Sequence, residues 1–307
     1  MKLSEVKILM LGLTNRCNAK CITCWHSNER PFSPNELLPR VYEELRKKLF
    51  PSIDVLDVCG GGEVFFSPLF DTLLQDIQKY DFKTIITSNF SMISREQREL
   101  LATANVEFVV SLDGSHSELQ SFLRPGCSFD NVVRNIQYFV SNGNRVTIQT
   151  TVSDHNFYDM GNMIELAEDL RVDGIRFHSA RYLGHLDQPT KFKNPSADMD
   201  YIREITSKNY GVRYAMYFDF YHKMNRDPLL KRIKNHLKGM FPDRYLMEFC
   251  QNTRRTIKVQ EDGKVLSCCL PESRVMGDLN KSVLEEIIDT PRYDSMRRTC
   301  ACQMMGR

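Results

Sequence analysis

Three cysteines crowd one short stretch near the N-terminus: Cys17, Cys21 and Cys24, in the run Leu13-Thr14-Asn15-Arg16-Cys17-Asn18-Ala19-Lys20-Cys21-Ile22-Thr23-Cys24-Trp25. A C-x3-C-x2-C spacing offers three thiolates from one loop, which suits a [4Fe-4S] cluster with one iron left without a protein ligand. An open iron is where chemistry can happen. Thiolates also make tetrahedral zinc sites, and His26 could join as a fourth ligand, although zinc knuckles normally bring their ligands in two separated pairs.

A second motif decides between these readings. The apolar segment 53–58 runs into Cys59-Gly60-Gly61-Gly62-Glu63-Val64-Phe65. Glycines without a Cβ let the backbone turn sharply and a ligand lie against it, and a carboxylate can accept from an ammonium group. Taken in this order, the two motifs resemble the radical S-adenosylmethionine (radical SAM) superfamily, and the resemblance covers nearly the whole chain. It implies that Cys17, Cys21 and Cys24 bind a [4Fe-4S] cluster whose fourth iron is chelated by SAM. It also implies that Gly61, Gly62 and Glu63 hold the methionine end, and that Trp25 approaches the adenine.

Composition agrees with an enzyme. The chain has 307 residues, 42% of them hydrophobic, enough for one large domain and a small second one. No apolar run approaches the eighteen or so residues of a membrane span, and the first residues lack a signal-peptide pattern, so the expected compartment is the cytoplasm. A formal net charge of +2 gives no reason to expect nucleic acid. Ten cysteines are too few for a disulfide scaffold of this length, and most fall into two groups, the pattern of two metal sites.

Those residues must be positioned by an alternation of strands and helices. Strands are expected at 6–13, 53–58, 84–87, 108–112, 145–152 and 174–180, with helices at 35–49, 68–80, 94–103, 129–142 and 158–170. Such alternation implies a parallel sheet with right-handed crossovers. The resemblance makes it a partial (β/α)6 barrel, an α/β fold open on one side, spanning 1–230. Ligands of such folds lie at the carboxyl ends of the strands. There the sequence places Ser88 and Asn89, which resemble the family's turn near the adenosyl group. Ser111 and Asp113 resemble the segment near the SAM ribose, and Arg124 is a candidate partner for the SAM carboxylate. Beyond them come His155 and His178, candidates for proton removal from a substrate hydroxyl because imidazole titrates near neutral pH. Asp154, Arg176 and Arg181 stand close to them in the sequence, a grouping that suggests a polar substrate.

Residues 231–307 change character. A basic helix is expected at 229–240. A hairpin at 256–259 and 264–267 is signalled by an Asp-Gly turn, and a capped helix at 282–288 by Glu285 at its third position. Cys250, Gly263 and Cys268 keep the spacing of the C-terminal extension called SPASM, or of its shorter form called twitch. The resemblance implies an auxiliary [4Fe-4S] cluster held by Cys250, Cys268, Cys300 and Cys302, with Cys269 able to replace a neighbour and a zinc ribbon as the alternative.

Membership would imply reduction by a flavodoxin or ferredoxin, cleavage of SAM, and hydrogen-atom abstraction from the substrate. Two outcomes are open. An auxiliary cluster that accepts an electron gives oxidation, such as alcohol to ketone in a sugar or aminocyclitol of natural-product biosynthesis. A thiol that returns a hydrogen atom gives epimerisation, with Cys127 the expected donor and Cys59 a buried small hydrophobe. Because the chain begins almost at its first strand, with no room for a leader-binding domain, the expected substrate is a small polar metabolite. A peptide is the alternative, and a non-catalytic iron-sulfur or zinc protein a remote one.

Overall fold

The computed structural model describes residues 2–24, 34–180, 195–217, 255–266, 275–291 and 293. Within them one ten-stranded sheet runs in the order β10-β9-β8-β1-β2-β3-β4-β5-β6-β7. Its first seven strands are β1 (Ile8–Leu11), β2 (Val55–Val58), β3 (Lys83–Ser88), β4 (Val106–Ser111), β5 (Arg145–Val152), β6 (Gly174–Ser179) and β7 (Tyr214–Tyr217), all parallel. The expected partial barrel is therefore present, with β7 and α7 (Pro195–Ser207) added beyond the sixth strand. The edge strands β7 and β10 do not pair with each other, which leaves the barrel open.

Strands β1 to β4 alternate a buried residue with a half-buried one, and β5 does the same after its exposed first residue. Leu9, Leu11, Leu56, Val58, Ile86, Phe108, Val110, Val146 and Ile148 lie under the helices at 1% exposure or less. Their neighbours face the inner side of the sheet, as a period of two requires. The helical layer consists of α1 (Pro39–Lys48), α2 (Phe70–Lys79), α3 (Arg95–Ala102), α4 (Ser117–Leu123), α5 (Phe129–Ser141) and α6 (Met160–Asp169). Pro39 opens α1, where its missing N–H costs nothing. Val41, Tyr42 and Leu45 bury one stripe of that helix, and the Tyr42 hydroxyl donates to Asp76 of α2 at 2.7 Å. Ser94 caps α3 in a box with Gln97. Helix α4 was not anticipated from the sequence, being only seven residues long.

The segments after residue 254 continue this sheet. Strand β8 (Thr256–Val259) runs parallel to β1, and an antiparallel hairpin joins it to β9 (Lys264–Leu266) and β10 (Val275–Asp278). Gly263 takes φ +80° in the turn, the conformation that its Asp-Gly signal anticipates. Helix α8 (Leu284–Ile288) corrects the expected capping box. It starts two residues later than predicted, Ser282 does not cap it, and Glu285 turns instead to Lys48 of α1. The Leu284 N–H finds its acceptor in Glu44 Oε1 at 2.7 Å, so α1 supplies the cap that the local sequence was expected to provide. The expected boundary near residue 230 and the basic helix at 229–240 lie outside the described residues. Among those described, no helix is long and apolar enough to cross a membrane.

Candidate SAM and cluster site at the carboxyl ends of the strands

The cysteine loop leaves β1 and is held from two sides. Its start is fixed by Thr14, whose hydroxyl donates to Glu36 at 2.8 Å, and by Asn15, whose side chain accepts the Asn35 N–H at 2.7 Å. Its far side leans on the loop after α4: Lys20 N–H donates to Pro125 O at 2.8 Å and Ile22 N–H to Leu123 O at 3.0 Å. Gly126, at φ +92°, permits that approach, because a Cβ there would sit 2.4 Å from the Asn18 carbonyl oxygen.

The glycine turn after β2 closes on the same loop. Gly62 N–H donates to Thr14 O at 3.1 Å and Glu63 N–H to Arg16 O at 2.8 Å. A Cβ on Gly62 would lie 2.3 Å from Arg16 O, so this glycine is required by the cysteine loop itself. Gly61 lies beside it, half-buried. Glu63 is 2% exposed. Its two oxygens accept from the Ser88 hydroxyl and the Asn89 N–H, each at 2.7 Å. Burial pushes its carboxyl up to about 7, against the pull of those donors and of Arg124. A carboxylate has about four lone-pair positions, so two remain for a further donor.

Ser88, Asn89 and Phe90 form a strained turn. Phe90 takes φ +59°, and its ring is pinned between Phe108 and Phe139 at centroid distances of 5.1 and 5.3 Å. Left-handed backbone at such a residue costs about 1–2 kcal/mol. In return, the Asn89 side chain reaches the cysteine loop, donating to Asn18 Oδ1 at 2.9 Å and lying 3.8 Å from Cys17 Sγ. Ser91 closes the network, accepting from Asn18 at 2.9 Å and donating to Asn89 at 2.6 Å. Asn18 and Ser91 were missed in the sequence, although Asn18 directly follows the first cysteine.

Asp113 and Arg124 form a buried pair. Arg124 Nε donates to Asp113 Oδ2 at 2.6 Å, and Asp113 Oδ1 accepts the Thr151 N–H at 2.7 Å. The guanidinium also reaches Cys21 Sγ at 3.7 Å. Burial works against its charge, but Asp113 and Cys21 hold it protonated. Arg124 thus stands where it can stabilise a thiolate, while Asp113 is already committed to Arg124 and to β5. Ser111 ends β4 on the inner face, opposite Gln149 and, one strand further, Arg176.

Of the expected catalytic groups, His178 lies on the inner face of β6 opposite Thr151. His155 is exposed and packs edge-on against Phe122 at 5.0 Å. Cys127 is buried, and its thiol is pushed up to about 12 by burial, with the neighbouring Cys21 and Cys17 adding to it. It therefore lies within electrostatic reach of the cysteine loop. Cys59, one strand position beyond Asp57 and Val58, carries the inner-face periodicity of β2. Trp25, His26, Arg181, Cys250, Cys268, Cys269, Cys300 and Cys302 lie outside the described residues.

The donor set fits an iron-sulfur cluster. Burial pushes the Cys17 thiol up to about 11 and raises Cys21, so neither ionises without a cation, and a coordinating metal deprotonates a thiol outright. Arg124 beside Cys21 and Asn89 beside Cys17 supply donors to thiolate sulfur.

Comparison with known proteins agrees with this geometry. The family model of the radical SAM superfamily matches residues 11–167, just over half of the chain. The chain belongs to the radical SAM superfamily. Residues 250–304 match the iron-sulfur cluster-binding SPASM domain, the segment that holds all five C-terminal cysteines. Membership brings a SAM-binding [4Fe-4S] cluster, SAM itself and auxiliary [4Fe-4S] chemistry. Among curated relatives, Fe-coproporphyrin III synthase of Methanosarcina barkeri is 23% identical over 266 residues, covering 83% of this chain and 61% of that protein. The subtilosin biosynthesis protein AlbA of Bacillus subtilis is 23% identical over 286 residues, covering 91% and 58%. The chain thus spans about three fifths of the length of either relative. Streptococcus suis SuiB, solved with S-adenosylmethionine, superposes with a TM-score of 0.69 at 18% identity, over 95% of this chain and 68% of that one. SuiB was also solved with its precursor peptide SuiA.

Proposed function

We propose that this radical SAM enzyme modifies a peptide, with Cys17, Cys21 and Cys24 holding the SAM-binding cluster and Cys250, Cys268, Cys300 and Cys302 an auxiliary one. When bound, cluster and SAM supply a 5′-deoxyadenosyl radical that takes a hydrogen atom from an unactivated carbon. The chain's own residues do the rest. Arg124 and Asn89 donate toward the thiolates, Gly61, Gly62 and Glu63 receive the methionine end with Glu63 accepting from its ammonium, and Ser88 and Asn89 fix the Glu63 carboxylate in place. Ser111 and Arg124 stand toward the ribose and carboxylate.

The observation that carries the substrate class is the AlbA likeness, a bacteriocin biosynthesis protein matched across nearly the whole chain. The SuiB fold supports it. Inside the barrel, Thr87, Ser111, Thr147, Gln149, Thr151 and Arg176 face inward on adjacent strands, half-buried and unbonded through their side chains among the described residues. That is a wall of donors and acceptors suited to a polar chain such as a peptide. Oxidation of a sugar or aminocyclitol, favoured by the sequence alone, gives way to this reading because the curated relatives named above make a bacteriocin and a porphyrin. Within it, net oxidation and redox-neutral epimerisation divide on whether a thiol returns a hydrogen atom. Cys127, buried beside the cysteine loop, and Cys59, which carries the inner-face periodicity of β2, are the two thiols that such a return would use, and electrons enter from a flavodoxin or ferredoxin.

The test is made on anaerobically reconstituted full-length protein given SAM, reductant and peptides deuterated at carbon. Deuterium appearing in 5′-deoxyadenosine, and its loss in the Cys17, Cys21, Cys24 triple alanine variant, is the expected result. Transfer from deuterated aminocyclitols but from no peptide would overturn the peptide reading.

A further inference from the structure

Met10, Asp57 and Lys258 lie side by side in one row across β1, β2 and β8, on the face opposite the buried Leu9, Leu56 and Ile257. One step nearer the carboxyl ends on the same face come Gly12 and Cys59. At Gly12 the place of a side chain is taken by another residue. A Cβ there would lie 2.8 Å from Glu261 Oε2 and 3.1 Å from the Glu261 backbone nitrogen. At Gly60 a Cβ would stand 3.7 Å from the same oxygen. Glu261 belongs to the turn between β8 and β9, so the hairpin after residue 254 delivers a carboxylate over two glycines into the mouth of the barrel.

This carboxylate is unusual in its surroundings. Glu261 is 7% exposed, yet among the described residues it accepts no hydrogen bond and forms no ion pair. Of the nearby cations, Lys264 binds Asp262 and attracts Glu261 only through space, and the Lys258 charge acts on Asp57 and Cys59. Its charge reaches the Cys59 thiol, which burial and then Asp57 already push upward. Its oxygens are not sealed from water, so they stand open to an incoming donor, whereas an apolar side chain over Gly12 would close that space. The glycines on β1 and after β2 keep that space clear for the carboxylate and whatever it meets.

We propose that Glu261 is a substrate-binding residue whose carboxylate receives an ammonium or guanidinium group in the barrel mouth. This rests on the reading of the barrel as the chamber where the substrate is modified, and it names the group that the chamber recognises. The C-terminal hairpin then does more than lead to the auxiliary cysteines, because it completes the substrate site of the core.

The test uses the reconstituted full-length protein with SAM and two probe pairs: a peptide with a central lysine against its norleucine counterpart, and glucosamine against N-acetylglucosamine. Equilibrium dialysis gives affinities, and 5′-deoxyadenosine formation gives the response. The ratio within each pair is independent of how much protein is loaded. Wild type is expected to prefer the cationic member of at least one pair by about tenfold to a hundredfold, the range of a charge-assisted hydrogen bond. E261Q, equal in shape, brings the ratio near one. G12A, whose Cβ displaces the carboxylate, does the same, and E261K turns the preference toward a glutamate peptide. Absence of any cationic preference in wild type, or its survival in E261Q, overturns the assignment. Peptides bound regardless of charge would remove Glu261 and keep the peptide reading, whereas glucosamine preferred with no peptide bound would keep Glu261 and remove the peptide.

Discussion

Replacing Gly62 by alanine tests whether the glycine turn exists to seat the cysteine loop. The added Cβ would lie 2.3 Å from Arg16 O and 2.5 Å from the Asn15 carbonyl carbon. An ordinary carbon–oxygen contact is about 3.3 Å, so the loop must retreat by about 1 Å. Both obstacles are backbone atoms, which cannot rotate away. The retreat stretches two hydrogen bonds, Gly62 N–H to Thr14 O at 3.1 Å and Glu63 N–H to Arg16 O at 2.8 Å. Each contributes about 1 kcal/mol, and overpacking adds about 1–3 kcal/mol, so G62A should lose about 3–5 kcal/mol. Cys17 follows Arg16 directly, so iron bound per folded chain should fall with stability. Urea unfolding of the apo protein gives the first quantity and iron analysis of the reconstituted, monodisperse fraction the second. Stability within about 1 kcal/mol of wild type together with undiminished iron would refute the reasoning, and with it the assignment of Gly62 to the loop rather than only to a ligand.

Two further outcomes follow from the buried charges. Arg124→Met leaves Asp113 buried without its partner and should cost about 3–5 kcal/mol in urea unfolding, whereas the double variant R124M/D113N should recover part of that loss; equal losses in both would mean that the pair is not coupled. Glu63 is an acid whose folded-state carboxyl stands at about 7 against an ordinary value of 4.5, so the folded state binds its proton more tightly. Its contribution is fully present below about pH 4.5 and is lost as pH rises through 7, about 3 kcal/mol at most. Apo wild type should therefore lose stability between pH 5 and pH 8 relative to E63Q, and parallel profiles of the two would contradict the burial of Glu63.

What could be read from the sequence was local. The cysteine spacing, the glycine-glutamate turn and the strand-helix alternation are short-range patterns, and each strand and helix expected within the described residues is present, often to within two residues. The capped helix at 282–288 shows the limit. Ser282 and Glu285 have the spacing of a capping box, but Glu44 and Lys48 of α1 compete for the same groups from far away in the chain. Glu63 shows it differently. The motif marks a carboxylate meant for an ammonium group, yet nothing in the motif reveals that Ser88 and Asn89, at the end of the next strand, already occupy one position on each oxygen. Cys127 stood near the expected site in sequence, and the packing of residues 123–126 on the cysteine loop is what brings it within electrostatic reach of Cys21 and Cys17.

The pairing of β8 with β1 joins these observations. A parallel strand carries its residues toward the same end of the sheet as its neighbour, so once Thr256 lies opposite Ile8, the turn after Val259 must emerge beside the cysteine loop and the glycine turn. An antiparallel β8 would have sent that turn to the far end of the barrel. Strand direction alone therefore decides whether a C-terminal carboxylate reaches the chemistry. Gly12, with a position on the inner face and no side chain of its own, is the residue in the core that makes room for it. A substitution at Gly12 should thus behave as a lesion of the hairpin, and one at Glu261 as a lesion of the core.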